Sequence, residues 1–473
     1  MAYFTREKLL KSEISLLPDH SKKWTVRAAA VFPNDYRTGI SNLGFLKIFE
    51  IMHRFPQIFP QRFFGSEPLS LEAGEPLASF PIIAVSLSFE LDFLNLLSLL
   101  RRAEIPIRSS ERKGKILIIG GAAAMINPYP LASVADAIFI GDSISSIERI
   151  FQILAENPPG IVDKKDLLAE LSKINGVWIP STMENPPQRT VSMDENPPSS
   201  PIISSFAAFP NMVLVQIQKG CPFRCPFCAT PVIYNPFHNF PLNSIISSIE
   251  KWGDKISRVG LIGSAIADYS DLNELLRYFQ RRNIEIYTSS LRLDRLDSEL
   301  IKDLKISHQR TLTIAPETGS PRLKKIIGKN FSVDKIVSIV RELPAKEIKL
   351  YYIIGLPDEE ISDVEAIGDE INKIADEFPD RKIIASVNPF IPKRGTKWQY
   401  NNMINHKELL NRYNVIKYMI QSNKNVYIQI NYKRKSRLQW VLATGGRDVG
   451  EIIAENDNLS SAMKKLRDNG WDI

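Results

Sequence analysis

All three cysteines of this 473-residue chain fall in one short window, Cys221-Pro-Phe-Arg-Cys225-Pro-Phe-Cys228. Three thiolates spaced CxxxCxxC suit a cubane [4Fe-4S] cluster in which each holds one iron and the fourth iron has no protein ligand. An open metal position is where a substrate or cofactor can bind. A zinc site would need a fourth ligand, for which His238 is the nearest candidate, and closed zinc sites usually pair their ligands more regularly. With every thiol in this window, a single cluster is the ceiling, a structural disulfide is implausible once all three thiols are committed, and a reducing cytoplasm is the expected compartment.

Such a loop has to be held by regular elements on either side. From Phe206 onward, strands alternate with helices for about 190 residues. The strands are expected at Met212–Gln218, Arg258–Ile262, Ile284–Thr288, Thr311–Ala315, Ile348–Ile354 and Ile383–Val387. The first is nearly continuous apolar, as a strand covered on both faces should be. Lys219-Gly220 ends it, so the cysteines follow at a strand's C-terminal end, where barrel chemistry belongs.

The first 180 residues read as a separate α/β unit. Val26–Phe32, Ile82–Ser88, Ile116–Ile119 and Ala137–Ile140 are apolar runs, with helical periodicity over 42–54, 92–102 and 144–154 between or after them. That alternation predicts a doubly wound, Rossmann-like parallel sheet, with the turns at Asp35–Gly39, Gly120-Gly121 and Gly141-Asp142 at its ligand-binding edge. Residues 181–205, rich in Pro, Ser and Asn, read as the interdomain connection. A small α/β appendage is expected over 401–473, with helices over 406–420, 449–455 and 460–468 and a strand over 426–431. Its run Tyr432-Lys433-Arg434-Lys435-Ser436-Arg437, close to Trp440, could hold phosphates and stack bases, although a solvated face is the commoner meaning of such a run.

The CxxxCxΦC spacing, with Phe227 before the last cysteine, resembles the radical S-adenosylmethionine (radical SAM) superfamily. DYRTGISNLGF and IIGGAAAMINPYPLASVADAIFIGD resemble the cobalamin-binding-like domain that precedes many radical SAM cores. The resemblance implies domains at 1–180 (cobalamin-binding-like), 206–400 (a partial (βα)6 TIM-like barrel) and 401–473. Cys221, Cys225 and Cys228 would ligate the cluster, and S-adenosylmethionine would be held by Phe227, Gly263, Ser264, Ser290, Arg292, Glu317 and Ile354 at successive strand ends. Reductive cleavage would give a 5′-deoxyadenosyl radical that abstracts hydrogen from substrate, for methylation or a related modification. An electron donor of the ferredoxin or flavodoxin type is implied. Any cobalamin would have to bind without the lower axial histidine of the mutase-type DxHxxG motif, because Asp35-Tyr-Arg-Thr-Gly39 has none and His53 lies in the following helix; a degenerate domain that binds no cobalamin is the alternative. No cysteine is left for the auxiliary cluster of the usual methylthiotransferases or for the catalytic thiols of radical RNA methyl synthases.

Composition is that of a multi-domain globular protein, with 44% hydrophobic and 24% charged residues. No apolar stretch is long enough to cross a membrane, and the N-terminus lacks a signal-peptide core. A net charge of +7 permits RNA as a substrate without requiring it. Besides the radical SAM reading, a zinc- or iron–sulfur-containing nucleic-acid-binding protein and an electron-transfer protein remain open.

Overall fold

The computed structural model describes residues 5–18, 23–288, 292, 295, 301, 311–430, 434–456 and 458–473. The chain divides into two compact units. One comprises Met1–Val215 with Val441–Trp471, and the other Gln216–Trp440. Residues 401–473 are thereby shared between the units.

The first unit is built on a six-stranded sheet. Its strands are β1 (Val26–Phe32), β2 (Ile58–Phe64), β3 (Ile82–Ser86), β4 (Ile116–Gly120), β5 (Ala137–Phe139) and β6 (Val177–Trp178), in the order β2-β1-β3-β4-β5-β6. Every pair is parallel except β5 with β6. The order 2-1-3-4-5 reverses direction between β1 and β3, which opens a crevice beyond their C-terminal ends, as in other doubly wound sheets. There Asn34 Nδ2 donates to Asp92 Oδ1 at 2.8 Å, and Asn42 Nδ2 donates to Ser88 Oγ at 3.0 Å. Strand β2 escapes sequence reading because Pro60 interrupts its pattern. The proline is tolerated because β2 is the sheet edge, where no ladder bond is lost.

The apolar faces pack as their spacing requires. Phe45, Leu46, Phe49 and Met52 of helix Leu43–His53 are buried in the same core as Ile147, Ile150, Phe151 and Leu154 of helix Ile144–Glu156. Residues expected to form only a connection are partly built in. Ile202–Ser204 pairs antiparallel with Glu13–Ser15, and Thr190 N donates to Ile140 O.

Strand β7 (Val213–Gln216) leads into the second unit, where the Ile217 amide donates to Ile262 O at 2.9 Å. Strands β8 (Arg258–Ile262) and β9 (Glu285–Thr288) pair in parallel. Four more parallel strands follow: β10 (Thr311–Glu317), β11 (Glu347–Ile354), β12 (Lys382–Pro389) and β13 (Val426–Ile430). The six expected strands are all present in this mixed α/β, TIM-like arrangement. The strand assigned to an appendage, β13, instead extends the same sheet beside β12. Along β11, burial alternates with the period of two that one covered face imposes. Ile348, Leu350, Tyr352 and Ile354 are fully buried, while the intervening residues are partly open.

The basic run before Trp440 is no phosphate-binding face at Arg437. That guanidinium is buried, with Nη1 donating to Asp472 O at 2.9 Å and Nη2 to Ile404 O, and Trp440 is buried as well. Residues 432 and 433 of the run lie outside the described residues. No described helix is long and apolar enough to cross a membrane.

Candidate metal centre and cofactor site

The cysteine loop is clamped at both ends. Gln218–Lys219 pairs antiparallel with His238–Asn239. Between them Gly220 turns at φ 75°, where a Cβ would run into the Tyr234 carbonyl, so only glycine fits the entry to the loop. The Cys228 amide closes a turn onto Cys225 O at 3.0 Å. All three thiols are half-buried and unbridged.

Phe227 turns into an apolar cluster formed by Leu323, Ile327, Leu356, Phe390 and Trp398, with Ile353 alongside. Its ring lies 6.5 Å from that of Trp398, whose amide donates to Pro226 O at 3.2 Å. Leu356 and Phe390 directly follow β11 and β12, so the loop is fastened to the C-terminal ends of the sheet. Ile354, expected among the S-adenosylmethionine contacts, ends β11. It shares the row of Tyr352, whose hydroxyl donates to Glu370 Oε1 of helix Ile361–Glu377, so the Ile354 side chain faces the helix layer and Ile353 faces the cysteine loop.

Two cations border the thiols. The Arg292 guanidinium stacks over the Phe223 ring at 3.7 Å and donates to Gly328 O. Lys329 Nζ donates to Glu317 Oε1 at 2.7 Å and to Ala315 O at 2.8 Å. Burial pushes the Cys225 thiol up, and Lys329 and Arg292 oppose that shift by favouring the thiolate. Burial also pushes up Cys221. Glu317 sits at a register shift at the end of β10 with φ 67°, a conformation rare outside glycine and typical of sites where function holds the backbone.

On the other side of the loop, Gln218 is 1% exposed, and among the described residues its Oε1 has no hydrogen-bond partner while its Nε2 donates to Asn239 Oδ1 at 3.1 Å. Buried acceptors are normally satisfied, so this one marks a place for a donor. Gly263, just past β8, leaves room beside it, since a Cβ there would come within 2.9 Å of that oxygen. Ser264 is exposed, and Ser290 lies outside the described residues. Sequence reading missed Gln218, Phe223 and Lys329. Lys329 closes the segment APETGSPRLKKIIGK, but nothing local signals that the helix Pro321–Ile327 carries it to the thiols.

Among the described residues, no three His, Cys, Asp or Glu side chains converge tightly enough to share a single metal ion. A cubane spreads its thiolates over separate irons, and three half-buried thiols bordered by two cations suit its negative charge. The donor set therefore fits an iron–sulfur cluster. The orphaned Gln218 oxygen beside Gly263 fits an ammonium donor, and the Arg292 guanidinium over Phe223 fits a carboxylate.

The comparisons with known proteins agree with this geometry. Residues 215–371 match the family model described as the Radical SAM superfamily, and residues 56–180 match that described as Radical SAM proteins, N-terminal. An uncharacterized protein of Methanocaldococcus jannaschii is 26% identical over 94% of this chain and 95% of its own length. The ribosomal protein uS12 methylthiotransferase RimO of Acetivibrio thermocellus is 26% identical over 34% of this chain and 39% of that protein. The cobalamin-dependent S-adenosylmethionine radical enzyme OxsB, solved with aqua-cobalamin and S-adenosylmethionine bound, superposes with a TM-score of 0.52 at 12% identity. That superposition covers 86% of this chain and 58% of OxsB. The chain spans well under two thirds of both named enzymes. It belongs to the radical SAM superfamily, whose members are enzymes that use a [4Fe-4S] cluster and S-adenosylmethionine.

Proposed function

We propose that Cys221, Cys225 and Cys228 hold one [4Fe-4S] cluster, and that the enzyme activates a substrate C–H bond for methylation or a related modification. Once reduced, such a cluster with S-adenosylmethionine supplies a 5′-deoxyadenosyl radical, and the cofactor carries that chemistry. The protein binds and orients. Gln218 Oε1 accepts from the α-ammonium beside Gly263, Arg292 pairs with the carboxylate, and Glu317 accepts from the ammonium or the ribose hydroxyls. Phe227 and its apolar cluster exclude water from one side of the cysteine loop. The observation that carries this reading is the meeting of Arg292, Lys329 and Glu317 at the cysteine loop.

Methyl transfer is preferred over methylthiolation because all three cysteines of the chain are committed to one cluster. The first unit supports cobalamin as the methyl carrier, through its sheet order and its likeness to OxsB. The crevice beyond β1 and β3 is where such a sheet would receive it. Electrons would come from a low-potential donor of the ferredoxin or flavodoxin type, and RNA is one candidate substrate. Anaerobic reconstitution followed by reduction with S-adenosylmethionine tests the reading. Formation of 5′-deoxyadenosine supports it, and a reconstituted protein that binds iron but forms none contradicts it.

A further inference from the structure

At the opposite edge of the first unit's sheet, where β4 and β5 begin, lies a cavity of about 770 Å³. None of its lining residues belongs to the unit that bears the cysteines. The lining carries six cations, Arg108, Arg112, Lys113, Lys115, Lys164 and Lys165, against one carboxylate, Asp163. Several of these have structural work. Arg112 and Lys164 both grip the buried Asp136, at 2.7 and 2.6 Å. Arg108 pairs with Glu455, and Lys115 Nζ donates to Ala78 O. Asp163 accepts from the Lys165 amide at 2.7 Å as the cap of helix Lys164–Leu171. The ammonium groups of Lys113 and Lys165 have no ion pair among the described residues, and both residues are exposed at the rim.

Below the rim the floor is apolar, with Ile116, Ala135, Val162, Leu167 and Leu168. Among the described residues, two buried polar atoms of lining residues also lack partners, the Ser133 hydroxyl and Arg112 Nε. A cavity of this size is typical of small-molecule sites. An apolar floor with a few polar atoms, under a rim of unpaired ammonium groups, matches a planar base attached to a phosphate.

We infer that this cavity binds a nucleoside phosphate, with the base on the apolar floor and the phosphate between Lys113 and Lys165. The ligand is either a free mononucleotide or the phosphorylated end of a nucleic-acid strand. The site is independent of the cysteine loop, so it stands or falls apart from the radical chemistry.

Calorimetric titration of the full-length protein with ATP, adenosine and a short 5′-phosphorylated RNA tests the assignment. ATP or the RNA should bind, adenosine should bind at least about tenfold more weakly, and added salt should weaken the phosphorylated ligands. The double variant Lys113→Glu/Lys165→Glu, altered only at exposed side chains, should lose at least about tenfold in affinity. Binding of ATP identifies the free nucleotide as the source, and binding of the RNA alone identifies the strand end. Absence of binding by both, or affinity unchanged in the double variant, overturns the proposal.

Discussion

Lys329 Nζ lies 2.7 Å from Glu317 Oε1, and the pair, 12% exposed on each side, joins the end of β10 to the turn after helix Pro321–Ile327. This contact sets the charge beside the cysteine loop, because the same lysine acts on Cys225. Its position depends on how that helix is anchored. Lys324 forms a buried ion pair with Glu370, and Ser320 Oγ and Arg322 both bond Asp363, so the helix is fixed to Ile361–Glu377.

Glu317 and Arg292 are assigned to S-adenosylmethionine rather than to the cluster. Glu317→Gln and Arg292→Ala should therefore each weaken S-adenosylmethionine binding by about tenfold or more, with iron and sulfide content held near wild type. Equilibrium binding beside iron analysis checks this. Unchanged affinity in both variants would return the two residues to a purely structural role.

Trp398→Ala should loosen the cysteine loop, since the indole flanks both Phe227 and Phe390, while the backbone bond from residue 398 to Pro226 is kept. Removing a buried tryptophan costs about 3 kcal/mol. The reconstituted variant should release iron to a chelator several-fold faster than wild type while keeping its far-ultraviolet circular dichroism. Equal release rates would show that the apolar cluster does not hold the loop.

Asp92 gives the first unit a pH signature. Burial pushes its carboxyl from 3.8 up to about 6, Asn34 opposes that rise, and Glu90 and Asp35 add to it. The folded state therefore holds the proton more tightly than the unfolded state does. The stabilisation from this group is complete below about pH 4 and disappears as pH rises through 6, at most about 3 kcal/mol. Asp92→Asn keeps the acceptor for Asn34 and cannot ionise. Its Tm should match wild type below about pH 4 and exceed it increasingly as pH rises to 8. A variant less stable than wild type at pH 8 would show that the carboxylate is favoured in the fold.

How far the sequence discloses the molecule depends on the range of each interaction. The cysteine loop, the strand alternation and the glycine turn before Cys221 are written in consecutive residues and can be read directly. Pro60 hides β2, because only the finished sheet order reveals that this strand is an edge. Strand β13 has an ordinary strand pattern, but nothing local says that it pairs with β12. Gln218 and Lys329 look like any polar residues in the sequence; nothing local shows that the Gln218 oxygen is buried without a partner, and only the fold brings Lys329 to the loop that Gln218 precedes. The choice of Ile353 over Ile354 for the site side of β11 rests on which alternating row the helix Ile361–Glu377 covers.

His53 should not ligate any bound cobalamin. Its Nδ1 lies 2.9 Å from Phe49 O and its ring packs edge-on against Phe49. The residue ends helix Leu43–His53, just before β2 starts at Ile58, opposite Val26 at the beginning of β1. That places it at the N-terminal edge of the sheet, away from the crevice beyond the strands' C-terminal ends. After titration with hydroxocobalamin and reduction, the Co(II) spin-resonance spectrum should be the same in wild type and His53→Ala. Nitrogen splitting that vanishes in the variant would contradict the assignment.

The central claim is that the three thiols act as one ligand set. The measurement that tests it most directly is 5′-deoxyadenosine formation by anaerobically reconstituted Cys221→Ala, Cys225→Ala and Cys228→Ala, each beside wild type. Each variant should lose cleavage entirely, retain its fold by circular dichroism and bind well under the wild-type iron. Cleavage retained by any one of the three would contradict the claim.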